Sequence, residues 1–129
     1  MAEQTGSELK GKVAIVTGAG RMRGIGRGTA VVLARMGANV VVTGTGRDPD
    51  TFPQDEKDAG WRDIHSTVEQ IESYGVRALP LVSNVADEDD VQKMIDDTVA
   101  EFGRLDIIVN NAAAPLGTDR VSVLDLKAD

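Results

Sequence analysis

The residues best placed to do chemistry form one run, Thr17-Gly18-Ala19-Gly20-Arg21-Met22-Arg23-Gly24-Ile25-Gly26, between a short apolar segment and an amphipathic one. A glycine turn that leads from a strand into a helix presents backbone N–H groups and a helix N-terminus, and together these receive an anion. Gly18, Gly24 and Gly26 let a pyrophosphate approach the main chain and let the helix pack close to the sheet. Arg21 and Arg23 add guanidinium groups, whose planar fork suits a phosphate. A P-loop is excluded, because no Gly-Lys-Ser/Thr closes the turn and the pair Gly11-Lys12 lies ahead of the strand. Other chemistries fall away on composition. With no cysteine and one histidine, the sequence rules out disulfides, thiolate nucleophiles, cysteine-based zinc sites and His-rich metal sites. His65 is expected on the solvent side of a helix. The acidic run at 87–90 is expected to cap a helix rather than hold a cation.

The elements that must position this turn can be read from the hydrophobic pattern. Residues 12–17 (KVAIVT), 39–43 (NVVVT), 77–83 (RALPLVS) and 105–109 (LDIIV) are short and apolar, as strands buried on both faces are. Pro80 sits awkwardly in the third of them. Between the strands, apolar residues recur at helical spacing. Ala30, Val32, Leu33 and Met36 do so before Gly37, and Ile64, Val68 and Ile71 before Gly75. Val91, Met94, Ile95, Val99 and Phe102 do so before Gly103. Asp87 caps the last of these, with Asp90 three residues on. Residues 44–60 carry Pro49 and Pro53 and read as a long polar loop, with Trp61 as a local anchor for it. The order βαβαβαβ implies an α/β fold, a doubly wound parallel sheet with helices on both faces and strand order 3-2-1-4. Ligands of such sheets bind at the switch point between the first and fourth strands, outside the carboxyl ends.

The chain has 129 residues, 41% of them hydrophobic and 27% charged, which suits one globular domain. Fourteen Lys+Arg stand against 21 Asp+Glu, and the net charge of −7 opposes binding to nucleic acid or to anionic membranes. The longest apolar run, Ala30 to Ala34, is too short to span a bilayer, and the polar residues 1–10 hold no signal-peptide core. A cytoplasmic protein is expected.

The glycine turn, together with Ile108-Val109-Asn110-Asn111-Ala112-Ala113 and Gly103-Arg104-Leu105-Asp106, resembles the short-chain dehydrogenase/reductase family. The family's marks are a Thr-Gly-x-x-x-Gly-Ile-Gly turn and an Asn-Asn-Ala-Gly run, and the resemblance covers residues 11–115. It implies an NAD(P)-binding Rossmann half at 11–114, after a flexible tail at 1–10. Residues 115–129 would begin the segment leading to a catalytic half, before which the chain stops. By the resemblance, Gly18, Gly20, Arg21, Arg23, Gly24, Ile25 and Gly26 cradle the pyrophosphate and ribose. Asn84 and Val85 sit by the adenine, while Asn110, Ala112 and Ala113 lie along the nicotinamide ribose. Asn110 has a structural alternative, tying strands together through backbone bonds, and Asn111 is expected beside Ala112 in the nicotinamide-side pocket.

Several departures from the family pattern stand out. Two extra residues lie in the turn around Arg21 and Met22. Asn84 replaces an adenine-binding aspartate, and Ala113 replaces a glycine. NAD-using members end the second strand with an acid that takes the ribose hydroxyls, a position that falls here on neutral Gly44. NADP-preferring members tend to carry a base before the Gly24 position, where this chain has Arg23, and Arg47 lies just beyond the strand. NADP(H) is therefore the favoured cofactor and NAD(H) the alternative, supported by Asp48.

The resemblance also implies hydride transfer between a nicotinamide and a small carbonyl or alcohol, such as a 3-oxoacyl compound or another ketone. The family's Tyr-x-x-x-Lys pair, which performs it, has no counterpart here: Tyr74 has Ala78 four residues later. No catalytic residue is assigned, and the 129-residue chain alone is expected to be inactive. The rival is a non-catalytic dinucleotide-binding or scaffolding module. If the chain ends at Asp129, the fourth strand becomes an exposed edge, and self-association through it is expected.

Overall fold

The computed structural model describes residues 6–112. The four apolar segments pair as parallel strands, β1 (Val13–Val16), β2 (Asn39–Gly44), β3 (Ala78–Val82) and β4 (Ile107–Val109), in spatial order β3-β2-β1-β4. This is the doubly wound 3-2-1-4 order of the sequence analysis. Helices α1 (Ile25–Arg35), α3 (Ile64–Glu72) and α4 (Glu88–Phe102) connect the strands, and a short α2 (Gln54–Asp58) precedes α3.

β1 lies inside the sheet, with Ile15 in register with Val41 and Ile108, and it is buried throughout. Side chains alternate between faces. Val16, Val40 and Val42 pack against Ala30, Ala34, Ile64 and Ile71 from α1 and α3. Ile15 and Val41 pack on the other face against Met94, Val91, Ile95 and Phe102 of α4. Each fully buried aliphatic side chain contributes about 1.5–3 kcal/mol, so the two apolar layers hold the strand ends in place.

The detail differs from the sequence expectation in four places. In α1 the buried stripe is Gly26, Ala30 and Ala34, while Val32 is 49% exposed; small residues seat the helix close to β1 and turn Val32 outward. In α4, Val99 faces solvent and Thr98 is buried, its hydroxyl donating to the Met94 carbonyl at 2.8 Å. Pro80 stands within β3, opposite Val42. β3 is the outer strand, where a missing N–H costs no ladder bond. The stretch 44–60 is not a plain loop, since it holds a 3-10 turn (Pro49–Thr51) and α2. Asp48 accepts from the Asp50 N–H and Pro49 starts the turn, a conventional cap and first position.

Leu105 and Asp106 precede β4 rather than belonging to it, yet Asp106 extends the pairing. Its N–H donates to the Val13 carbonyl, and its carboxylate accepts from the Val13 N–H at 2.9 Å. No helix among the described residues is long and apolar enough to cross a membrane.

Candidate functional site

The carboxyl ends of the strands open into a cleft of about 680 Å³, within the size range of small-molecule sites. Its floor is the glycine turn after β1. Thr17 Oγ1 accepts from the N–H groups of Asn111 and Ala112, both at 3.1 Å, and Asn111 Nδ2 donates to the Gly18 carbonyl at 3.0 Å. These three bonds stitch the end of β4 to the end of β1. The stitch requires glycine at position 18, where φ is +67° and a Cβ would stand 2.8 Å from Ala112 Cα. Gly26 is needed for space, because a Cβ there would meet the Gly18 carbonyl at 2.6 Å. Gly24 begins α1 with no side-chain cap and no acid in the first turn. The first N–H groups of α1 therefore remain open to an anion.

The two extra residues of the turn are held by the connection after β2. Gly24 N–H donates to the Arg21 carbonyl at 3.1 Å, closing a tight turn over Met22. Met22 N–H donates to Glu56 Oε2 at 2.8 Å, and Arg27 Nε donates to the Met22 carbonyl at 2.7 Å. Trp61 Nε1 donates to the Gly20 carbonyl at 2.6 Å, and Thr67 Oγ1 to the Ala19 carbonyl at 2.8 Å. Arg47 is the centre of this clasp. Its guanidinium lies 3.0 Å from Glu56 Oε1 and 2.7 Å from Asp63 Oδ1, with all three side chains at most 14% exposed, and it stacks 4.4 Å from the Phe52 ring centre. Burial alone would pull the Arg47 pKa down, but the bonds and charges of Asp63 and Glu56 outweigh it and raise the value.

Most of the residues expected at the site are brought together. Gly18, Gly20, Arg21, Gly24, Gly44, Arg47, Asn84, Val85, Asn111 and Ala112 all line the cleft, and Gly26 lies directly beneath its floor. Arg23 does not: its side chain is 80% exposed and pairs with Asp55 at 2.5 Å, a bond that holds the Asp55 carboxyl below its usual range. Ile25 is 81% exposed on the outer side of α1. Asp48 caps the 3-10 turn and lies outside the cleft. Asn110 is exposed, and the tie between β1 and β4 is made by Asn111 instead. Asn84 uses its Oδ1 to accept from the Ala86 N–H, and its own N–H donates to Asp90. His65 is exposed and Asp87 caps α4, accepting from Asp89 and Asp90 N–H. Ala113 lies outside the described residues.

The sequence reading missed Glu56, Asp63 and Ser83. The first two carry an acid to the turn from far along the chain, and the paired facts of a lengthened turn and a long charged connection were their only signal. Ser83 is 5% exposed and lines the cleft, and its hydroxyl has no hydrogen-bond partner among the described residues. Those residues also contain no cluster of three or more potential metal ligands.

Comparison with known proteins bears on this geometry. The family described as short chain dehydrogenase matches residues 12–129. A 12alpha-hydroxysteroid dehydrogenase from a Clostridium species is 38% identical over 81% of this chain and 37% of its own length. The 3-oxoacyl-[acyl-carrier-protein] reductase FabG of Staphylococcus aureus is 43% identical over 78% of this chain and 35% of its own. Among solved structures, a short chain dehydrogenase from Mycobacterium paratuberculosis bound to NAD superposes with a TM-score of 0.64 at 35% identity. That match covers 92% of this chain and 43% of the other. The chain thus spans about two fifths of the length of the relatives it matches.

Proposed function

The chain belongs to the short-chain dehydrogenase/reductase family, and from that premise we propose that its cleft is the dinucleotide-binding half of a nicotinamide-dependent oxidoreductase. The uncapped start of α1 behind the Gly18–Gly26 turn is the observation that carries this reading. Gly18, Gly20, Arg21, Gly24 and Gly26 form the pyrophosphate cradle. Asn84 and Val85 flank the adenine, and Asn111 and Ala112 border the nicotinamide ribose. The residues present fit such a group in two further respects. The close backbone approaches at Gly18 and Gly26 leave the turn free of side chains, and Ser83, whose buried hydroxyl has no partner among the described residues, lines the cleft.

A bound nicotinamide would supply hydride transfer to or from a carbonyl or alcohol. A 3-oxoacyl compound is one substrate class, and the acid–base residues would come from outside this segment. The role of residues 12–112 is to bind and orient. Between the two nicotinamide cofactors, the sequence favours NADP(H) through Arg23 and Arg47. That support weakens with Arg23 paired outside the cleft and Arg47 held by two carboxylates. Association belongs to the same proposal: β4 is the outer strand among the described residues, with Ile108 43% exposed, and a further strand would pair there.

Thermal melts of the full chain with NAD(H) and NADP(H) test the reading. A ligand at a hundredfold excess over its Kd stabilises by about 2.7 kcal/mol, a rise of many degrees. An unchanged Tm with both cofactors at millimolar concentration refutes it.

A further inference from the structure

Asp63 is placed unusually for an acid at a helix start. It occupies the N-cap position of α3, yet its side chain makes no cap bond there. Its backbone sits at φ +59°, ψ −135°, the only described non-glycine residue with positive φ. Such a conformation persists only where the surroundings enforce it, and it clusters at functional sites. Here the enforcement is visible. Two glycines make room for the carboxylate: a Cβ at Gly20 would overlap Oδ1, and a Cβ at Gly44 would stand 3.3 Å from Oδ2. Arg47 fixes the group through Oδ1 alone, with Nε at 3.0 Å and Nη2 at 2.7 Å. Oδ2 accepts no hydrogen bond among the described residues, and Asp63 lines the cleft beside Gly44 and Thr45.

Resting on the dinucleotide reading of the cleft, we infer that Asp63 is the residue that selects the cofactor, its Oδ2 accepting from the adenosine ribose hydroxyls in front of Gly44. The end of β2 has no side chain to do this, and α3 supplies the acid in its place. Arg47 is the positioning residue. With Glu56 and Asp63 it forms a buried group of net charge −1, two carboxylates against one guanidinium. A 2′-phosphate brought against that group meets like charge and loses the hydroxyl that Oδ2 would accept from. Arg21, exposed in the glycine turn, is the third charged side chain lining the cleft, with Arg47 and Asp63. Its side chain has no hydrogen bond or ion pair among the described residues and would meet the pyrophosphate.

Calorimetric titration of the full chain with NAD, 2′-deoxy-NAD and NADP decides this. The wild type is expected to bind NAD at least roughly tenfold more tightly than either of the others, the loss that follows from removing a hydrogen bond to a charged group. Asp63→Asn keeps the shape and removes the charge, and is expected to shrink the NAD preference over NADP roughly tenfold. Equal or tighter binding of NADP by the wild type overturns the inference, as does an unchanged preference in Asp63→Asn. If that variant fails to fold, the wild-type comparison of NAD with 2′-deoxy-NAD still decides: a loss supports the assignment and equality refutes it. Binding of no dinucleotide at all overturns the reading of the cleft itself, which keeps the two failures apart.

Discussion

On the rim of the cleft formed by β1 and β2, several polar groups are tied to others far along the chain. Glu56 reaches the Met22 N–H, Arg47 joins Glu56 to Asp63, and Trp61 and Thr67 hold the carbonyls of Gly20 and Ala19. On the rim after β3 the Ser83 N–H donates to the Gly44 carbonyl, and the side-chain bonds are local. Asn84 turns back on Ala86 and Asp90, Val82 and Val85 are exposed, and Ser83 keeps a buried hydroxyl without a partner among the described residues. The first rim is preformed around a lengthened glycine turn. The second is left with unmet bonding capacity. Preorganisation of one side lowers the entropic cost of binding there, while the other side retains groups that a ligand can satisfy.

Substitutions on the two rims should separate widely. The largest effect is expected at Gly18→Val, which forces a branched side chain into positive φ and against Ala112 Cα. About 3–4 kcal/mol of stability should go, read by urea denaturation. Glu56→Ala is expected to cost about 2–3 kcal/mol, since it strands the Met22 N–H and leaves Arg47 one buried carboxylate instead of two. A midpoint within error of wild type would show that the clasp does not stabilise the turn.

Asp106 gives a pH test away from both rims. The Arg104 side chain, and then the Val13 N–H, hold its carboxyl below the usual range in the fold. A depressed folded pKa contributes stability above the unfolded value, near pH 4, and that contribution disappears as pH falls through the folded value. Asp106→Asn should therefore be less stable than wild type at neutral pH, with the gap closing in acid-denaturation curves below about pH 4. The smallest effect is expected at Ser83→Ala. Removing a hydroxyl that has no partner among the described residues should change stability by about 0.5 kcal/mol or less, and a loss of several times that would reveal a bond on the second rim.

The contrast between the rims also explains what was legible in the sequence. Short apolar strands such as 12–17 and 39–43 announce a buried parallel sheet because their pattern is local, and the 3-2-1-4 order follows from the handedness of the crossovers. The glycine turn announces an anion site for the same reason. The clasp could not be read this way. Arg47 looks like a phosphate ligand from its charge and position, and only the fold brings Glu56 and Asp63 to it. Asp48 lies nearer to β2 in the chain than Asp63, yet it turns away to cap a 3-10 turn. Arg23 is adjacent to Gly24, but its side chain points outward to Asp55. Spacing identifies elements; which acid meets which base is settled by side-chain direction.

The central claim is that the Gly18–Gly26 turn and the open start of α1 receive the dinucleotide. It is tested most directly by residue-resolved NMR titration of the full chain with NAD. The amide signals of Ile25, Gly26 and Arg27, together with Gly18 and Ala112, are expected to move furthest and to saturate with one dissociation constant. Saturable shifts centred elsewhere, on the outer face of α4 for example, with the turn unmoved, would contradict it.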